Sequence, residues 1–497
     1  MPTNTYDLIV LGDEFSGVVA ATLCAARGMR VLLGTTGANP ASYHVGPHRL
    51  PTRPLSFVGL TSPAIRRVIE ELNFAHLLKR RLRECQPAFQ FVGPNARIDV
   101  SGDDVELTFE CQRDLENGDA DAVLASCRTA REVSELLEPI LGQAIAFPPE
   151  KFFDKREIGR CEAPLALAGE AVTVSTEGSA IARALVEAPA AVSVRADPRE
   201  LSAICRARAF DLWRRGTAQL PGGYQTLREI FLDKFASHGG EVRAVAAEEL
   251  SISWGKVTGV MLREREELGA EQVIAAMPLD ELQELTAKVP KKMREVAEQF
   301  TPAAYRYTLN LVLSEAGIPE GIGSMVLFVN DPDEPLIGDN CIAVYIDEPD
   351  EEARVTVTAE AVCPAPGPNE TLEGKFADLR IRLRERLEEL MPFSSEHVLI
   401  AHSPHERTSA EGTKHKVDLI DPTPPVPAWH TQGESLLGLA VAPYHLGIKR
   451  LTLASSQVMP GLGLEGEFEV GWCAALIACS GLKKKDYLKD EVLAPRG

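Results

Sequence analysis

Residues 6–33, YDLIVLGDEFSGVVAATLCAARGMRVLL, decide the fold. Tyr6 to Leu11 (YDLIVL) is a largely apolar run, interrupted at Asp7 and stopped by Gly12, the pattern of a buried parallel strand. Phe15 to Arg27 is rich in Ala, Leu and Val, as a helix packed on a sheet should be, and Gly28 closes it as a C-cap. Met29 to Leu33 reads as the second strand. Strand, glycine turn, helix and parallel strand within about 30 residues make a βαβ unit.

Working outward, the character changes from Pro51 to about Arg215. Pro63 to Phe74 reads as an amphipathic helix, Ala88–Val92 and Ile98–Val100 as short strands, and Asp119 to Leu141 as a helix. Pro221-Gly222-Gly223-Tyr224 then opens a helix reaching about Ser237, ended by Gly239–Gly240. Glu241–Val245, Leu250–Trp254, Lys256–Leu262 and Glu271–Met277 follow as strands. After a helix near Leu279–Phe300 come Tyr305–Leu313, Met325–Val329, Ile342–Ile346 and Val355–Val362, whose succession implies an antiparallel sheet. Lys375–Leu390 is an amphipathic helix, His402–Pro427 a polar surface loop, and Leu451–Cys479 a strand, a glycine-rich turn and a helix. Sheet-forming pieces at the start, middle and end must meet in space. The expected class is α/β, with a Rossmann-like domain (1–50, 216–280 and 436–497) interleaved with an α+β domain (51–215 and 281–435) of antiparallel sheet plus helices.

The bulk properties exclude several functions. The chain has 497 residues, 72 acidic against 52 basic, for a formal charge of −20. Broad nucleic-acid binding wants Lys and Arg gathered on one face, so that class is set aside. No apolar stretch approaches the ~20 residues of a spanning helix. The first residues, with Asp7, Asp13 and Glu14, lack the basic start of a signal peptide. Ten scattered cysteines, with no CxxC, imply reduced, mostly buried thiols and a cytoplasmic setting. No metal site is expected: His402, His405 and His415 lack a companion Cys or carboxylate pattern.

Four blocks then resemble the flavin-dependent amine oxidase and phytoene desaturase superfamily. They are the N-terminal βαβ, PGGYQTLREIFLDKFASHGGEV, VIAAMP, and LTLASSQVMPGLGLEGEFEVGWCAALIA, in order along nearly the whole chain. The resemblance implies FAD, hydride removal from a hydrophobic or amine substrate between the domains, and a set of cofactor contacts. These are Gly12, Glu14, Ser16 and Gly17 in the first turn, Thr35 at the end of strand two, and the backbone of Val242 near adenine. In the last block they are Ser455 and Ser456, with Gly461, Gly463 and Gly466 before a ring-facing helix and Glu467 capping its start. A hydrophobic or lipid-like ligand would suit the same cleft, and the basic run Lys79–Arg83, ordinarily a solvated helix face, would suit an acidic protein partner or a membrane surface.

The departures from that pattern point elsewhere. GxGxxG needs glycine at 14, where this chain has Glu14, with Asp13 beside it. Two unit charges about 4 Å apart interact by about 4 kcal/mol at an effective dielectric near 20, and against a pyrophosphate the sign is repulsive. The family's ribose-binding acid is replaced by Thr35, and its Gly-Asp before Gln457 by Ser455–Ser456. With Glu14, these read as three independent changes in one cofactor site. The alternative is a binding protein that keeps the fold without the cofactor, as the Rab GDP-dissociation inhibitors do. Pro221–Tyr224 reads equally as a turn starting a helix or as a cofactor-proximal segment. No nucleophile–base or paired-carboxylate constellation is present, so catalytic residues are not assigned.

Overall fold

The computed structural model describes residues 4–37, 40–58, 61–142, 145–263, 265–407, 422–432 and 435–482. The chain begins with β1 (Asn4–Leu11), α1 (Phe15–Ala26) and β2 (Val31–Thr35), then the hairpin β3 (Ser42–Val45) and β4 (His48–Pro51) and the short β5 (Phe57–Val58). Next come α2 (Pro63–Glu71), α3 (Ala75–Arg81), β6 (Arg83–Glu84), β7 (Phe89–Gly93) and β8 (Ala96–Val100). A helical stretch follows: α4 (Asp104–Asp114), α5 (Asn117–Leu141), α6 (Phe152–Ser175), α7 (Ala180–Ala190) and α8 (Ala203–Arg214). After β9 (Thr217–Gln219) and α9 (Gly223–Ser237) run β10 (Glu241–Ala244), β11 (Ala247–Ser253), β12 (Lys256–Leu262) and β13 (Glu267–Ala275). The rest is α10 (Leu279–Glu284), α11 (Lys291–Ala297), β14 (Phe300–Ser314), β15 (Met325–Val329), β16 (Cys341–Ile346), β17 (Arg354–Pro364), α12 (Leu372–Leu390), β18 (Val398–His402), β19 (Pro427–Thr431), β20 (Leu451–Leu453) and α13 (Gly463–Gly481).

One sheet has the order β10-β2-β1-β13-β12-β11, with β20 also on β13. Its centre is parallel: Ile9 faces Leu32 and Val273, Val242 faces Leu33, and Val273 faces Leu451. Strands buried on both faces need no alternation, which is why Leu8–Leu11 is apolar throughout, while Asp7 lies at the partly exposed start. Helices α1, α9 and α13 pack together over this sheet, and Phe15 meets Phe231 at 5.1 Å and Phe468 at 5.4 Å between ring centroids. These edge-on contacts suit the ring quadrupole.

The second sheet runs β18-β14-β17-β16-β15-β7-β8, antiparallel except where β15 and β7 run together. Phe376, Leu379, Leu383 and Leu387 of α12 recur at helical spacing and are buried with Tyr307, Val357 and Ala359 of that sheet. The β3–β4 hairpin joins it through Tyr43, Val45 and Leu50 against Val312 and Ile400. Among the described residues no helix is long and apolar enough to cross a membrane. All ten cysteines are free and only Cys161 is not buried.

Three sequence expectations are corrected. Pro290 breaks the helix expected over 279–300 into α10 and α11, because proline cannot donate within a helix and clashes with the preceding turn. His402 ends β18 and is buried, and His405 is also largely buried, its imidazole lowered to about 4 by burial; His415 lies outside the described residues. Helices α6 to α8 are additional. In α8 the buried face includes Arg208, Asp211 and Arg214, so no polar stripe marks it.

Candidate functional site

The first turn is held tight by packing. Gly12 has φ +115°, and a Cβ there would lie 2.1 Å from the carbonyl oxygen of Ala276. A Cβ on Gly17 would lie 2.2 Å from the Cβ of Ala276. Both glycines let the start of α1 press against the end of β13. Ser16 is buried and its hydroxyl donates to the carbonyl oxygen of Ala454 at 2.5 Å, tying α1 to the end of β20.

Glu14 precedes α1 but its side chain caps none of that helix's N–H groups. Instead its carboxylate crosses to the C-terminal segment. Oε1 accepts from the Ser455 hydroxyl at 2.9 Å, and Oε2 accepts from the backbone N–H of Ser456 at 2.6 Å. Burial pushes this carboxyl up to about 7; the bonds from Ser456 and Ser455 oppose the rise, and Glu467 adds to it. The changes at Glu14 and at Ser455–Ser456 are therefore one interaction, where the sequence suggested independent changes. Asp13 faces the other way: Thr36 donates to its carboxylate through both N–H and hydroxyl, and Arg228 donates to its carbonyl at 2.9 Å. Thr35 accepts at its carbonyl from Val245 N–H at 3.0 Å, within the β2–β10 edge where Val242 is 47% exposed.

Beyond Glu14 lies a chamber rich in arginine that no sequence motif marks. Arg53 Nη2 meets Glu467 Oε1 at 2.6 Å, and its guanidinium lies 3.8 Å from the centroid of the Tyr224 ring. Arg306 meets Glu360 at 2.5 Å. Arg195 ends a π-helical turn (Ala191–Arg195) at φ +62°, and its buried Nη1 has no hydrogen-bond partner among the described residues. Burial, then the like charges of Arg306 and Arg53, lower its guanidinium to about 9. Two connected cavities of about 110 and 160 Å³ share Arg53, Arg195, Arg306, Ser456 and Glu467.

Two expectations for the last block are corrected. Glu467 does not cap α13; it lies past the first turn, and its ion pair with Arg53 faces the chamber. Gly461 and Gly463 come at the helix start, but Gly466 is inside it. Of the arginines, only Arg306 carried a signal: a charge within the apolar run YRYTLNLVL.

Putrescine oxidase bound to putrescine matches 96% of this chain and 100% of its own, at 13% identity and TM-score 0.62. Cyclohexylamine oxidase from Brevibacterium oxydans matches the same shares at 13% identity and TM-score 0.57. This chain has the fold of the FAD-binding amine oxidases. An oxidoreductase from Methanosarcina mazei matches at 12% identity, TM-score 0.55, over 96% of this chain and 100% of its own. No family model and no curated protein sequence matches the chain.

That fold raises the question of whether these residues fit FAD. A dinucleotide-binding turn needs bare backbone where the pyrophosphate comes closest, and free N–H groups at the helix start. Here an ionisable side chain stands at that point and takes up the Ser456 N–H. The residues present do not fit a dinucleotide.

Proposed function

We propose that this chain is a binding protein that keeps the amine-oxidase fold and works without flavin. The observation that carries the reading is the Glu14 bridge to Ser455 and Ser456. An anion in the groove must compete with a carboxylate already hydrogen-bonded there, and Thr35 brings no charge to hold a ribose. The glycines at 12 and 17 do not argue against this, because packing on Ala276 accounts for both. The fold likeness over nearly the whole chain supports a second reading, an FAD-dependent oxidoreductase removing hydride from a hydrophobic or amine substrate.

An absorption spectrum separates the two. Protein purified without added cofactor is expected to show no band between about 350 and 500 nm, and dialysis against FAD is expected to add none. Flavin retained at one per chain through gel filtration would overturn the proposal and restore the oxidoreductase.

A further inference from the structure

The chamber beyond Glu14 carries an unbalanced charge. Three of its four arginines are matched, Arg53 by Glu467, Arg306 by Glu360 and Arg228 by Asp13. Arg195 is not: its Nη1 is buried and unpartnered among the described residues. A guanidinium so placed is costly unless something anionic joins it. At the rim, Glu200 faces His430 at 3.7 Å, too far out to rank among the charges that set the state of Arg195. The acids whose charges act most on Arg195, Glu467 and Glu360, already hold Arg53 and Arg306.

The backbone shows that this placement is enforced. Arg195 sits in the left-handed region, which a non-glycine residue holds only where its surroundings impose it. They do. Trp213 Nε1 donates to Ser193 Oγ at 2.9 Å, and a Cβ on Gly463 would lie 2.7 Å from the Ser193 carbonyl oxygen. The π-helical turn is thus wedged between α8 and the first residue of α13, which directs Arg195 into the larger cavity.

The other walls of that cavity limit the ligand further. Val194, Leu201, Trp429, Leu439, Val441 and Met459 supply apolar surface beside the single spare charge. A cavity of about 150 Å³ takes a benzene-sized guest, and this one holds about 160 Å³. We infer that the chamber binds a small organic monocarboxylate of about the size of benzoate, its carboxylate on Arg195 and its apolar body against Trp429 and Leu439. A phosphate dianion finds no second unpaired guanidinium beside Arg195, and an ammonium would sit against the positive charges of Arg195, Arg53 and Arg306. The inference rests on the chamber being free of flavin, as proposed above.

The test is calorimetric titration of the full chain with benzoate, benzamide, benzylamine and inorganic phosphate, beside FAD uptake followed by absorbance. Benzoate is expected to bind, with benzamide at least 10-fold weaker. Arg195→Met should weaken benzoate by about 10- to 100-fold and leave benzamide unchanged, since it removes one charge-assisted contact. Arg195→Lys should restore part of the loss. Equal binding of benzoate and benzamide, preference for phosphate or benzylamine, or no heat with any of them would overturn the inference. The wild-type comparison decides even if the variants fail to fold. FAD uptake with no benzoate binding removes both readings, whereas absence of both removes only this one.

Discussion

At the scale of single residues, Glu14 is the most informative position. Its carboxyl is raised to about 7 by burial, against hydrogen bonds from Ser456 and Ser455 that favour the ionised form. The folded state therefore binds its proton more tightly than the unfolded state does. Its share of stability is present below about pH 4.5, falls as pH rises towards 7, and is constant above. Glu14→Gln keeps an acceptor for the Ser456 N–H without that cost. It should match wild type at pH 4.5 and exceed it by about 1 kcal/mol at pH 8, less than the full shift implies because the side chain is only partly buried. Urea unfolding at the two pH values measures this, and a variant less stable at pH 8 would contradict it. The sequence marked Glu14 as anomalous but predicted repulsion, because the partner that turns it into a clamp is 441 residues away. Arg195 had no mark at all: a lone arginine after AVSV is ordinary until its neighbours are known.

At the scale of elements, α13 looks from sequence like a plain apolar helix, yet it buries two carboxylates. Glu465 accepts from Arg208 at 2.6 and 3.0 Å and from the hydroxyl of Ser62 at 2.6 Å, and Glu469 pairs with Arg67. Ser62 also caps α2 by accepting from Ile65 N–H at 3.2 Å, so one residue ties two helices. Taking Glu465 away leaves Arg208 with one remaining acid, Glu138 at 2.9 Å. Glu465→Ala is accordingly expected to lower stability by about 1.5–3 kcal/mol, and Glu465→Ala with Arg208→Met by less. A denaturant series on the single and double variants checks this; equal losses would mean the pair is not the source. Elements with one burial environment were legible: the Leu8–Leu11 half of β1 and most of α1 are apolar because they lie inside, and α12 shows its stripe because only one face does. Helices α6 and α8 were not, since α6 carries Gly159, Pro164 and Gly169 in a weakly patterned run and α8 buries charges with partners on other elements.

At the scale of the whole molecule, the parallel sheet is assembled from strands in residues 4–35, 241–275 and 451–453, and Glu14 fastens the first segment to the last. In a dinucleotide-binding protein the cofactor would do that fastening, and a ligand that binds only the native state raises its stability by RT ln(1 + [L]/Kd), about 2.7 kcal/mol at 100 times Kd. Here the clamp is internal, so 100 µM FAD should leave the melting temperature of the wild-type chain unchanged. Glu14→Gly combined with Ser456→Asp opens the turn and returns a carboxylate to the C-terminal segment, the two features the resemblance calls for. That double variant should melt below wild type, because the bridge is gone, and recover part of the loss when FAD is added. Thermal unfolding of both proteins with and without FAD distinguishes the cases. A wild-type chain stabilised by FAD would show that Glu14 yields to the pyrophosphate. A double variant that melts like wild type would show instead that the bridge does not hold the two ends of the sheet together.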